Sequence, residues 1–180
     1  DRYDSMVSKF WEINKKSEFL CEAAEEADLE RYEDTFDTIF TSPPYFNVER
    51  YSHDDTQSWI RYKDIDGWNT RFLQKALDNM LPTLRSGGKL CINISDVYAN
   101  SKWSSDRCWL KICDPMNEFL DEYRDMEYIG CIGMEMAKRP NSGGAGTAKD
   151  TTQYSEESLK LAEETKDKRF CEPIWIWEKK

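Results

Sequence analysis

Apolar positions recur at helical spacing at the start of the chain, where Tyr3, Met6, Val7, Phe10, Trp11 and Ile13 make one stripe and predict an amphipathic helix over residues 3–15. Glu18 to Cys21 reads as a short strand, and Glu22 to Asp34 as an acidic loop with one helical turn. Thr35 to Phe40 is a run of strand formers that leads straight into Thr41-Ser42-Pro43-Pro44-Tyr45. Two successive prolines lack the N–H that a central strand needs, so the strand must end there in a rigid turn. Residues 46–66 mix polar and aromatic positions without a period. From Asn69 to Leu84 the stripe Phe72, Leu73, Ala76, Leu77, Met80, Leu81 and Leu84 predicts a helix. Pro82 kinks its last turn and Ser86-Gly87-Gly88 stops it.

Lys89 to Ser95 follows as a strand, whose Leu90-Cys91-Ile92 centre predicts burial on both faces. Asp114-Pro115 is a capping acid followed by a first-turn proline, which starts a helix running to about Tyr123. Glu127 to Ala137 is a long strand and Ser155 to Glu164 a short charged helix. Pro173 to Glu178 closes the chain as a strand in which Trp175 and Trp177 alternate with Ile174 and Ile176. Between these last elements, Asn141-Ser142-Gly143-Gly144-Ala145-Gly146 has the composition of a loop. Alternating helices and strands specify an α/β sheet with helices on its faces.

Composition narrows the picture. With 180 residues, 39% hydrophobic and 13% aromatic, the chain suits one globular domain. No window approaches the ~18 consecutive apolar residues of a membrane span, and no secretion signal is evident. The expectation is an intracellular, non-secreted protein. The chain begins at Asp1 rather than at a methionine, which leaves room for an upstream segment. The net charge of -10 argues against a broad phosphate-gripping surface. It does not exclude a pocket that takes a single base. None of the six cysteines stands at C-x-x-C spacing and His53 is the single histidine, so no zinc site is expected. Cys21, Cys91, Cys131 and Cys171 fall in apolar runs and read as reduced core residues.

The chemistry lies in Thr41 to Tyr45. Ligands of open α/β sheets bind at the carboxyl ends of strands. The exocyclic amine of cytosine or adenine is a poor nucleophile because its lone pair is delocalised into the ring. Acceptors that take both amine hydrogens draw that pair out. The Ser42 hydroxyl and the Pro43 carbonyl are suited to this, with Pro43 and Pro44 stiffening the turn so that the acceptors are preorganised. Tyr45 can stack on an extruded base. Ser-Pro-Pro-Tyr also occurs as an ordinary loop. The strand before it and the Gly-Gly segment after the next helix set this occurrence apart.

Ser42-Pro43-Pro44-Tyr45 resembles the catalytic motif of the amino-group DNA methyltransferases, in which Asp, Asn or Ser precedes Pro-Pro and an aromatic. Phe36-Asp37 before it, Leu84 to Leu90 after it and the terminal Cys171 to Lys180 strengthen the resemblance. The family implies S-adenosylmethionine as cofactor, cytosine N4 or adenine N6 as the methyl acceptor, and DNA as partner. It also implies a Rossmann-like methyltransferase sheet, mostly parallel with an antiparallel terminal strand. The motif is expected at the carboxyl edge of a central strand, adjacent to Leu90–Ile94. Ala23 and Ala24 would follow the strand where the cofactor adenine packs, with Thr41 beside them. Phe46, Asn47 and Asp96 are the candidate substrate contacts, with Glu49 and Tyr51 trailing the motif.

The family's glycine-rich cofactor turn has no counterpart here. The sheet is therefore expected to lack its first strands. The chain reads as a single catalytic domain, residues 1–180, incomplete at its amino end. An upstream segment or a partner chain would complete the cofactor site. Two other readings use the same residues: an RNA or protein-amide N-methyltransferase, and a non-catalytic partner subunit.

Overall fold

Phe36–Thr41 forms strand β1 and Leu84–Asn93 forms β2, and the two pair in parallel with Ile39 opposite Leu90 and Phe40 opposite Cys91. The computed structural model describes residues 18–99, 108–123, 125–135, 156–164 and 171–180. The predicted amphipathic helix and the glycine-rich loop lie outside these residues. Two short strands, β3 (Val97–Ala99) and β4 (Cys108–Leu110), pair as an antiparallel ribbon that the sequence pattern did not predict. Met126–Glu135 is β5 and Cys171–Lys179 is β6.

The main sheet runs β1-β2-β6-β5. β6 is antiparallel to both of its neighbours. β1, β2 and β5 therefore point one way and β6 the other, which is the expected mixed α/β sheet with an antiparallel terminal strand. One expectation is corrected. Within the described residues β1 is an edge strand, not a central one. It is also largely exposed rather than buried, with only Ile39 and Thr41 half-buried. Glu18 to Cys21 forms no strand.

The helix between β1 and β2 starts earlier than its stripe suggested. Asp64 caps it by accepting from the Gly67 N–H at 2.7 Å. It runs as Ile65–Trp68, a π-helical stretch Asn69–Gln74, and Lys75–Met80. Pro82, which has no N–H to donate, converts the end into a 3-10 turn, Leu81–Thr83. Gly87 and Gly88 do not stop the helix. They lie inside β2, where Phe36 and Thr38 of β1 face Leu84 and Lys89 across an irregularity. Gly87 has φ +75°, and a Cβ on Gly88 would come within 2.8 Å of the Arg85 carbonyl. The glycines are there to turn this bulge, which other residues would strain.

The Cys113–Glu122 helix is capped from outside. Asp96, after β2, accepts from the N–H groups of Ile112 at 2.8 Å and Cys113 at 3.0 Å. Asp114, the expected cap, instead stands within the first turn. Gln74 and Asn69 donate to the Pro115 and Lys111 carbonyls and so tie the two helices together. Leu73, Leu77 and Leu81 from one helix and Met116 and Leu120 from the other bury a core with Leu90, Ile92 and Trp177 of the sheet. Of the described cysteines, Cys113 is buried, Cys91 and Cys131 are half-buried, and Cys21 is exposed rather than in the core. Among the described residues no helix is long and apolar enough to cross a membrane.

Candidate active site

The parallel register decides what stands beside the motif. Phe40 pairs with Cys91 and Thr41 with Ile92, so the next step of the ladder brings Ser42 beside Asn93. Side chains at paired positions share a face, and the Ser42 hydroxyl lies 3.5 Å from Asn93 Oδ1. Asn93 is 5% exposed. Its amide is held from the other side, because Nδ2 donates to the Pro173 carbonyl of β6 at 3.1 Å. Ser42 itself is exposed and Pro43 is buried. The motif thus offers a hydroxyl to solvent from a turn whose next residue is fixed in the protein.

Glu49 closes the turn from below, with one carboxylate oxygen accepting from the Tyr45 N–H at 3.1 Å and from the Tyr51 hydroxyl at 3.0 Å. The Tyr45 side chain is half-buried against the core. Burial first, then the charges of Glu172 and Glu49, push its phenol well above the usual range, so it stays neutral. Phe46 adopts φ +39°. Its ring is 4% exposed and meets Trp68 edge-on at 6.1 Å. That side chain, a candidate substrate contact, is committed to the core and anchors the turn. Asn47 is half-buried, and its carbonyl accepts from Arg50 at 3.0 Å.

Ala23, Ala24 and Pro44 line a single hollow of about 210 Å³, together with Tyr51, Thr56 and Phe72. The two alanines and the motif are thus brought together, although the loop that carries the alanines is not a strand end. Asn79 fixes that loop by donating to the Ala24 and Ala27 carbonyls at 2.9 and 2.8 Å. Glu25, also on it, is buried against Arg61 at 3.2 Å and accepts from the Tyr62 hydroxyl at 3.1 Å. Thr41 ends β1 beside Ile92 and is half-buried.

Asp96 lies at the same edge of the sheet, but both of its oxygens are engaged. One caps the Cys113–Glu122 helix and the other meets Lys111 Nζ at 3.0 Å. His53 is exposed. The residue that sequence reasoning passed over is Asn93. Laying Phe40-Thr41-Ser42 beside Cys91-Ile92-Asn93 in parallel register would have singled it out.

A family model for DNA methylases of the N6/N4 class matches residues 36–180. No curated protein matches the chain at a significant level. Solved structures share its fold. One is a Thermus thermophilus protein with a provisional assignment as a DNA modification methylase, determined in complex with S-adenosyl-L-methionine. It superimposes with a TM-score of 0.54 at 16% identity, over 87% of this chain and 53% of that one. A second structure of the same protein gives a TM-score of 0.53 at 16% identity over 88% and 52%. The chain thus spans about half the length of these neighbours.

Proposed function

Because the chain belongs to the DNA methylase family, we propose that it methylates the exocyclic amino group of a base in DNA, cytosine N4 or adenine N6, from S-adenosylmethionine. The observation that carries this reading is Ser42-Pro43-Pro44-Tyr45 at the carboxyl end of β1, with Pro44 lining the same hollow as Ala23 and Ala24. When bound, S-adenosylmethionine supplies an electrophilic methyl group on a sulfonium and leaves as a neutral thioether. Ser42 and the Pro43 carbonyl accept the two amine hydrogens and turn the nitrogen lone pair out of conjugation. The nitrogen so presented would take that methyl group, and the displaced amine proton would pass to solvent. Tyr45, half-buried and kept neutral by that burial, stacks its ring on the base. Thr41 and the two alanines form the cofactor side, with Asn47 at the substrate side.

The hollow is smaller than the roughly 300–1,000 Å³ typical of small-molecule sites. Its small side chains and apolar Pro44 and Phe72 walls suit a planar ring, and a second region must hold the rest of the cofactor. An upstream segment or a partner chain would supply it along the open edge of β1. The acidic charge leaves DNA affinity weak and salt-sensitive in this domain taken alone.

Two measurements test the reading. Ser42→Ala in the full-length enzyme is expected to slow single-turnover methylation of unmethylated DNA by about 10²–10³-fold with cofactor affinity preserved. An unchanged rate would remove Ser42 from the chemistry. Calorimetry on residues 1–180 alone is expected to detect little or no S-adenosylmethionine binding, with binding restored when the upstream segment or partner is present. Tight binding by the isolated chain would mean that its cofactor site is complete.

A further inference from the structure

Asn93 stands between two groups of opposite kind. Its Nδ2 reaches the Pro173 carbonyl at 3.1 Å and its Oδ1 reaches the Ser42 hydroxyl at 3.5 Å. A carbonyl oxygen only accepts, so the atom facing Pro173 must be the amide nitrogen, and the amide oxygen must therefore face Ser42. The Ser42 O–H can only donate toward that oxygen.

We propose that Asn93 is a positioning residue that makes Ser42 an acceptor toward the base. By taking the hydroxyl proton, Asn93 leaves both lone pairs of Ser42 Oγ for amine hydrogens. Without it the hydroxyl proton rotates freely. It can then point at the target nitrogen and compete for the lone pair that has to attack. The 3.5 Å separation is longer than an ordinary O–H···O hydrogen bond of about 2.5–3.0 Å, and such contacts commonly tighten only when substrate closes a site. The inference rests on Ser42 accepting from the target amine.

The test compares Ser42→Ala, Asn93→Ala and the double variant in single-turnover methylation by the full-length enzyme, with S-adenosylmethionine and unmethylated plasmid DNA. Asn93→Ala is expected to slow transfer by about tenfold or more, short of the ~10²–10³-fold cost of removing the acceptor itself. Cofactor and DNA affinities should stay the same. The double variant should be no slower than Ser42→Ala, because both changes act through one hydroxyl. Losses that multiply independently, or no loss in Asn93→Ala, overturn the proposal while leaving the role of Ser42 intact. No loss in Ser42→Ala overturns both. In Asn93→Asp the second oxygen faces the Pro173 carbonyl, which only accepts, so the protonated acid alone reproduces the amide and is expected to recover most of the rate as pH is lowered, including where Asn93→Ala does not fold. Failure to recover it with cofactor binding intact also overturns the proposal.

Discussion

The two faces of the main sheet carry similar residue types and meet different fates. On one face Ile39, Leu90 and Trp177 stand in register, and Leu90 and Trp177 are buried under the helices. On the other, Phe40, Cys91 and Ile176 form the equivalent row, with Ile174 and Ile132 one step along. There Phe40 is 64% exposed and Ile132 57%. Parallel strands are normally covered on both faces. An apolar second face is a sequence written for a three-layer arrangement, and the described residues supply two layers. The motif sits where the covered and uncovered regions meet, at the carboxyl end of the edge strand.

Truncating each row in turn makes the comparison measurable. Leu90→Ala removes a fully buried side chain and is expected to cost about 2–5 kcal/mol in urea unfolding. Phe40→Ala, on the open face, should stay within about 0.5 kcal/mol. Equal costs would mean that Phe40 is covered in solution, and the contrast between the faces would disappear.

Thiol chemistry probes the same contrast without altering the core. Cys91 belongs to the open row and Cys113 lies at the start of a helix on the covered side. Burial raises both thiols, and in Cys113 the nearby carboxylates of Glu157 and Asp96 raise it further. Both are neutral at pH 7. Maleimide should modify Cys91 before Cys113, read by mass spectrometry of the native protein, with a Cys91 rate that climbs as pH rises. An upstream segment or partner that covers the open face should protect Cys91. Preferential labelling of Cys113 would contradict the assignment of faces.

Much of this was legible in the sequence because the signals were local. The Pro43-Pro44 stop, the Leu73–Leu77–Leu81 stripe and the Ile-Trp alternation of β6 each depend on near neighbours, and each appears where expected. What escaped depends on distant partners. The cap of the Cys113–Glu122 helix comes from Asp96, 17 positions before Cys113, so the local Asp114-Pro115 signal misplaced it. Gly87-Gly88 reads equally as a helix stop or a strand bulge until the register with β1 is known. The orientation of Asn93 needs Pro173, 80 positions away. The burial of Phe46 depends on a positive φ that turns its ring inward, against Trp68, 22 positions on.

The smallest effect lies at the start of the exposed strand. Tyr32 packs on Phe36 with ring centroids 5.5 Å apart, and Glu18 accepts from both Tyr32 and Arg31. This cluster shelters one side of an otherwise open strand end. The hydrogen bond from Tyr32, joined by the charge of Arg31, lowers the Glu18 carboxyl below its ordinary value near 4.5. A lowered folded value means that the native state binds the proton less readily than the unfolded chain. The contribution is therefore complete above about pH 4.5 and fades as pH falls through the lowered value. Glu18→Gln should cause a slight fall in melting temperature at pH 7, and the difference from the parent should close under acid. Because the pair is exposed and salt screens it, raising ionic strength should shrink the effect at pH 7 as well. A difference that persisted unchanged into strong acid would mean that Glu18 acts through packing on the strand end and not through its charge.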